Sequence, residues 1–272
     1  MIALIDADII CYRAAAVSVD TVDWGDGEGP AVHANAKGAK EAADGLVANW
    51  LKKSGAKKAL LVFSDRSAPK TSFRFHVCPT YKANRPDEKP PLHDEVLSHL
   101  KNKYQHVSLP GLEGDDTLGL MATGEDAGKY IVVTIDKDLL TIPCRLFNPD
   151  KDDKPQKLSV AAADYNWMYQ TITGDTVDVY KGAPGAGPVK ARAALALARG
   201  TPALWEAVLH VFVDQFDDPK WTPKFTCDNA FDEALMNARC ARILRYGDYD
   251  YKTKKVRLWH PNPKEVEWIS PF

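Results

Sequence analysis

Three apolar runs in this chain each stop at an aspartate. Ile2-Ala3-Leu4-Ile5 runs into Asp6, the run Ala59–Phe63 reaches Ser64-Asp65, and Ile131–Ile135 ends at Asp136-Lys137-Asp138. Between them lie segments of helical spacing. Residues 36–54 are Ala-rich, carry Leu46, Val47, Trp50 and Leu51 on one face, and end at Gly55. Helices are also predicted over Ile9 to Val19, over 93–103, and from the stretch "EGDDTLGLMA". Strands apolar on both faces that alternate with helices predict an α/β fold built on a doubly wound, mostly parallel sheet. In such sheets ligands bind beyond the carboxyl ends of the strands. The acids, far apart in sequence, are therefore predicted to converge.

The chain has 272 residues, enough for one large α/β domain or two smaller ones. Its character changes near residue 150. "PDKDDKPQK" reads as a charged, proline-bearing linker, and 160–212 as helices around a Gly/Pro turn. Domains are expected at 1–158 and 159–272. The Asp/Gly-rich stretch at 20–35 reads as a loop or hairpin without an assigned role. No apolar run approaches the ~18 residues of a membrane span, and the N-terminus lacks the basic region of a signal peptide. Five scattered cysteines without a CxxC pair predict reduced thiols in a cytoplasmic protein and argue against zinc.

Nine carboxylates stand at predicted strand ends and helix starts: Asp6, Asp65, Glu113, Asp115, Asp116, Asp136, Asp138, Asp175 and Asp178. Any one of them could be a helix cap. Nine gathered together would repel one another unless cations compensate them. An all-oxygen set suits magnesium, with manganese as a substitute. Two such ions about 4 Å apart activate water and stabilise a phosphodiester's leaving oxygen. Asp8 is a tenth candidate, as a supporting group or a cap. Setting nine acids aside changes the net charge from −2 to about +7, which suits a nucleic-acid substrate.

Two further stretches fit such a substrate. In "SFRFHVCPTYKANRP", Arg74, Lys82 and Arg85 are interleaved with Phe73, Phe75 and Tyr81. Cations beside a stacking ring suit a phosphate backbone and an unpaired base. The alternative is a solvated basic loop whose aromatics anchor in the core. In "TGDTVDVYKGAPGAGPVKARAAL", Gly182, Gly185 and Gly187 precede a helix start carrying Lys190 and Arg192. Glycines let backbone N–H groups approach a phosphate, and the helix dipole adds to the attraction. The alternative is a plain helix connection.

Taken in order, "LIDADII", "FSDRSAPKTSFRFHVCPTYKANR", "LEGDDTLG", "VTIDKDLLTIP" and "TGDTVDVYKGAPGAGPVKA" resemble the flap endonuclease / 5′→3′ exonuclease family, whose core is a PIN-like nuclease fold. The C-terminal "ARILRYGDYDYKTKKVRLW" is similar to the tail of the 5′→3′ exonucleases of short-tailed bacteriophages. The resemblance covers most of 1–200 and part of 238–259. It implies a two-metal 5′ nuclease acting on DNA with free 5′ ends, nicks or flaps during replication, in the cytoplasm of a host if phage-encoded, with no obligate protein partner. It implies one metal site from Asp6, Asp65, Glu113, Asp115 and Asp116, and a second from Asp136, Asp138, Asp175 and Asp178. It implies an arch at about 67–95 from which Lys82 and Arg85 reach the scissile phosphate and Tyr81 stacks on terminal bases. It implies a helix–hairpin–helix element at about 165–200 that grips duplex DNA and in the family often holds potassium. The chain departs from the pattern in a short arch carrying Pro86, Pro90 and Pro91, which disfavour a continuous helix.

Rival readings are a PIN-type ribonuclease, a phosphatase using Asp6 of "DAD" as nucleophile, and a DNA-binding module without activity. The phosphatase pattern expects a Thr after the second acid, where Ile9 stands.

Overall fold

The computed structural model describes residues 1–22, 31–85 and 88–271. Its centre is a six-stranded sheet of β1 (Ile2–Asp6), β4 (Lys58–Val62), β5 (His106–Val107), β6 (Tyr130–Val133), β7 (Arg145–Phe147) and β8 (Gln156–Lys157). The order is β5-β4-β1-β6-β7-β8, parallel except for β8. Strand β1 lies between β4 and β6 in a register that sets Ile5 beside Leu61 and Val133.

Its side chains divide between two cores with the period of two that a strand imposes. Ala3 and Ile5 face helices α1 (Ala7–Ala16), α2 (Ala36–Ser54) and α5 (His93–Lys103), where Ile10, Val47, Trp50, Val96 and Leu100 are buried. Leu4 faces the other side, with Leu118 of α6 (Gly114–Thr123), Ile142 and Ile243. Helices on both faces make the sheet doubly wound, as expected. Helix α2 starts where the Asn35 side chain accepts from Gly38 N at 2.9 Å, and stops at Gly55, whose φ of 68° a side chain would resist.

Strands β2 (Val19–Val22) and β3 (Ala31–Ala34) pair as an antiparallel hairpin. The Gly-rich centre of that stretch, 23–30, lies outside the described residues, as does Pro86. The predicted first helix is shorter than read, because Val19 joins this hairpin. The arch is not one helix. It contains α3 (Ala68–Thr71), α4 (Phe73–Val77) and turns through Arg85.

Residues 148–157 are not a linker. Asp152 Oδ2 accepts from Asn148 N at 2.8 Å, Lys53 donates to Pro149 O, and Arg13 pairs with Asp150. The chain then forms the edge strand β8. Its charged composition is that of a solvent-facing edge, which imitates a linker in sequence.

Beyond the sheet, α7 (Val160–Thr173), α8 (Pro188–Leu195), α9 (Gly200–Phe216) and α10 (Ala230–Ala241) enclose Trp167, Trp205 and Phe212. The Trp167 indole donates to Ala238 O at 2.8 Å. Cys78 and Tyr81 of the arch belong to this same core. The C-terminal β9 (Val256–Leu258) and β10 (Glu267–Ile269) form a two-stranded ribbon that covers Phe73 and Leu112.

Candidate metal centre and its cations

Strand β1 delivers Asp6 to the carboxyl edge of the sheet, where it is only 3% exposed. It accepts from Thr134 Oγ1 at 2.8 Å, and that hydroxyl accepts from Asp136 N at 3.0 Å. Burial, then the charges of Asp8 and Asp136, push the Asp6 carboxyl up to about 7 despite Thr134. Asp115, in the first turn of α6, is driven well above the ordinary carboxylate range by burial, then by Asp136 and Asp6. Asp136 rises to about 6 through burial and the Asp138 charge. Asp6, Asp115 and Asp136 are thus brought together and repel one another. That is the electrostatic condition a cation relieves.

The remaining acids are held by protein cations and dipoles. Glu113 is partly buried, and desolvation alone would raise it, but Lys82 and Arg74 hold it down to about 2. Lys82 bonds Glu113 Oε1 directly. Asp178 accepts from Arg85 at 2.8 Å. The Tyr81 hydroxyl lies 3.1 Å from Glu113 and 3.0 Å from Asp178. Lys137 reaches Asp175 at 2.5 Å and Asp138 at 3.3 Å, and Gln170 donates to Asp138 at 2.8 Å. Burial opposes ionisation of Asp175, but Lys137 and the amides of Asp178 and Val177 keep its carboxyl below the usual range. Tyr81, Glu113, Asp115, Asp138 and Asp178 line one small open cleft. Among the described residues, no three Asp, Glu, His or Cys side chains form a group able to hold a metal as they stand. Lys82, Arg85 and Lys137 take carboxylate oxygens that such a group would need.

Two predicted ligands are engaged by the protein itself. Asp65 Oδ2 accepts from Ser67 Oγ at 2.5 Å and from Gly111 N at 2.9 Å, and so ties its own loop to the one before α6. Asp116 is fully buried and bidentate to Arg74, at 2.7 and 2.8 Å. Asp8 accepts from Ser64 N at 2.9 Å and Ser64 Oγ at 2.6 Å, a supporting position.

Two predicted DNA contacts are corrected by burial. Arg74 is 3% exposed and its guanidinium is consumed by protein acceptors. Tyr81 is 2% exposed, with Phe75 edge-on to its ring, so no base can stack there in this conformation. Both act as the anchored aromatic and cationic core of the arch. Lys82 is partly buried and Arg85 is exposed.

In the hairpin after α7 the close approaches of the glycines are to other parts of the protein. Gly174 and Gly182 both have φ of 66°, and a Cβ on Gly182 would lie 2.4 Å from Gly174 N. Gly182 N donates to the buried Asn237 side chain at 2.8 Å. Gly185, with φ of 76°, packs under Trp221, while Gly187 is the N-cap of α8. Lys190 is half-buried and Arg192 exposed on that helix, with the Arg192 guanidinium over Tyr169.

The model of the "5'-3' exonuclease, N-terminal resolvase-like domain" matches residues 1–163, more than half of the chain. The chain belongs to the 5′-3′ exonuclease family. It is 29% identical over 214 residues to the exodeoxyribonuclease of Enterobacteria phage T3, covering 68% of each chain. It is 28% identical over 211 residues to the exonuclease of Escherichia phage T7, covering 68% of this chain and 69% of that one. The fold is shared with the bacteriophage T5 D15 protein co-crystallised with metal ions, at a TM-score of 0.59 and 14% identity over 87% of both chains. It is shared too with the T5 D15 flap endonuclease in complex with DNA and metal ions, at a TM-score of 0.52, 14% identity and 87% coverage of both.

In this member of the 5′-3′ exonuclease family, sequence reasoning missed several groups of the cleft. Thr134 bridges Asp6 and Asp136, Gln170 orients Asp138, and Asn237 holds the hairpin. Lys137 was visible in "DKD", a cation between two acids. Thr134, Gln170 and Asn237 carry no local signal, because their partners are distant in sequence.

Proposed function

We propose that this chain is a divalent-metal-dependent 5′ nuclease that hydrolyses DNA phosphodiesters, as a 5′→3′ exonuclease and flap endonuclease in phage DNA replication. The observation that carries this reading is the meeting of Asp6, Asp115 and Asp136, from three separate segments, under mutual repulsion, with Lys82 paired to Glu113 and Arg85 to Asp178. The donor set is all oxygen and fits hard cations such as Mg2+ or Mn2+. Asp6, Asp115 and Asp136 would hold one ion with Glu113, and Asp138, Asp175 and Asp178 a second. Bound there, such ions supply Lewis-acid polarisation of the phosphate and an activated water.

The protein's own residues do the rest. Lys82, partly buried and 4.8 Å from the Tyr81 ring centre, supplies a preorganised positive charge for the pentacovalent phosphate. Arg85 adds a forked donor suited to phosphate oxygens. Tyr81 and Gln170 hold Glu113, Asp178 and Asp138 in place. The Gly182–Gly187 hairpin and the α8 N-terminus, with Lys190 and Arg192, form the duplex-gripping element, with backbone carbonyls available to potassium. Its partners are 5′ ends, nicks and 5′ flaps. Among the described residues no helix is long and apolar enough to cross a membrane, and the host cytoplasm is the proposed place of action.

The test is a 5′-labelled flapped duplex incubated with and without Mg2+, beside an RNA of the same sequence. Release of short 5′ DNA products only with Mg2+ is expected. Faster cleavage of the RNA would transfer the site to the ribonuclease reading, and full activity of Asp136→Ala would remove the mechanism.

A further inference from the structure

We infer that Arg74 and Asp116 are neither a DNA contact nor a metal ligand but one positioning pair, which sets where Glu113 and Asp115 present their carboxylates. The inference rests on the nuclease reading above. A guanidinium has five N–H donors in a fixed fork. Here all five have acceptors: Nε donates to Cys240 O at 3.0 Å, Nη1 to Glu113 at 2.9 Å and Asp116 at 2.7 Å, and Nη2 to Asp116 at 2.8 Å and Arg242 O at 2.7 Å. The group stacks over Phe73, 4.5 Å from the ring centre. Nothing of it is left for a phosphate.

Asp116 is equally committed. Its side chain has no exposed surface. Both oxygens face Arg74, and Oδ1 also accepts from Leu244 N at 3.1 Å. Successive helix residues point about 100° apart. With Asp116 pinned inward, its neighbour Asp115 is turned into the acid cluster, and Glu113 at the start of α6 is held through the second Nη1 bond. Cys240 and Arg242 supply carbonyls from the end of α10, which no later turn of helix satisfies. One side chain thus joins the arch stem, the acid-bearing helix and the C-terminal segment. Lysine keeps the charge but loses the fork.

The experiment uses the full chain with Asp116→Asn, Arg74→Gln and, as a reference, Asp115→Asn. Mn2+ binding is followed by calorimetry and electron paramagnetic resonance without DNA. Duplex binding is followed in Ca2+ at several salt concentrations, and single-turnover cleavage in Mg2+. Asp116→Asn is expected to keep the parent's Mn2+ stoichiometry and its affinity within about threefold, while Asp115→Asn loses roughly tenfold or more. Arg74→Gln, which removes the charge, is expected to leave the salt slope of duplex binding unchanged, where loss of a phosphate contact would lower it by about one. For both variants the cleavage rate falls roughly 10- to 100-fold at unchanged KM, the signature of misplaced groups rather than lost binding.

Loss of Mn2+ by Asp116→Asn to the extent seen for Asp115→Asn would make Asp116 a ligand. A reduced salt slope for Arg74→Gln would make Arg74 a DNA contact. Unchanged cleavage would remove the positioning role. Each result overturns the inference. Should the single variants not fold, Arg74→Met combined with Asp116→Leu leaves no lone charge between them, and the same three readouts apply. The parent's own Mg2+-dependent cleavage tests the nuclease reading, and Mn2+ binding by Asp116→Asn tests the pair, so the two fail separately.

Discussion

Lys82 and Asp178 meet twice. The Lys82 backbone N–H donates to the Asp178 carbonyl at 2.8 Å, and the Lys82 ammonium lies 3.9 Å from the Asp178 carboxylate. Both sides of this contact are conformationally unusual, with φ of 55° at Lys82 and 59° at Val179. Left-handed backbone at a β-branched residue persists only where its surroundings over-determine it. The arch and the Asp175–Tyr180 loop are therefore one fitted unit.

Lys82→Gln keeps a polar side chain, one atom shorter, and removes its charge. We expect the single-turnover rate in Mg2+ to fall roughly 10²- to 10³-fold, as for loss of one preorganised electrostatic group. Duplex affinity in Ca2+ should change far less. Rapid-quench kinetics beside equilibrium binding checks this, and an equal loss in both would assign Lys82 to grip rather than chemistry.

The raised carboxyls make the metal-free protein's stability fall with pH. Asp6 moves from 3.8 to about 7 and Asp136 from 3.8 to about 6. A carboxyl raised on folding contributes fully below its unfolded value and loses that contribution as pH rises through the folded one. Metal-free protein should thus be more stable at pH 4–5 than at pH 8, by roughly 1–3 kcal/mol. Asp6→Asn should raise the Tm at pH 8 and flatten the profile. Thermal denaturation in chelator across pH measures both, and a profile that rises from pH 5 to 8 would contradict them.

Added Mg2+ should reverse the trend, because ionised carboxylates are the ligands. We expect the gain in Tm at a fixed Mg2+ concentration to be larger at pH 8 than at pH 5. Equal gains at the two values would separate the bound ion from these acids.

Arg192→Ala removes an exposed cation of α8 without touching the cleft. The slope of log affinity for duplex against log salt should drop by about one. The cleavage rate at saturating DNA should stay within about twofold. A large change in rate at saturation would place Arg192 in the chemistry.

Asn237→Leu empties a buried bond. Asn237 accepts from Gly182 N and donates to Glu233 O, both at 2.8 Å. We expect a loss of about 1–3 kcal/mol, since Gly182 N–H is left without a buried acceptor. Urea denaturation reads this, and hydrogen exchange at Gly182 should quicken.

The sheet was legible because β1, β4 and β6 are apolar on both faces, and such runs have few other places to go. The acids at their ends followed from the topology alone. Helix α5 was found at its observed bounds because an acidic first turn and a basic last turn frame it. Arg74 was misread because a cation in a basic stretch resembles a surface group. Its partners stand 42 residues away at Asp116 and 166 away at Cys240, and only the tertiary fold unites them. The bonds that Asp65 Oδ2 accepts from Ser67 and Gly111 were not legible either, since Gly111 stands 46 residues away. The edge strand β8 was hidden because solvent-facing edges and linkers share a charged composition.

The loop that carries Asp178 is also the neck of the Gly-rich hairpin. Three residues lie between Asp178 and Gly182, a tether of at most about 14 Å when fully extended. Gly182 itself is buried and spends its N–H on Asn237, so this neck is anchored to α10. The exposed turn at Gly185 and Gly187 is thus coupled to the acid cluster through a short, pinned length of backbone. Under the proposed duplex grip, lengthening that neck by one residue is expected to displace the product ladder rather than to slow it.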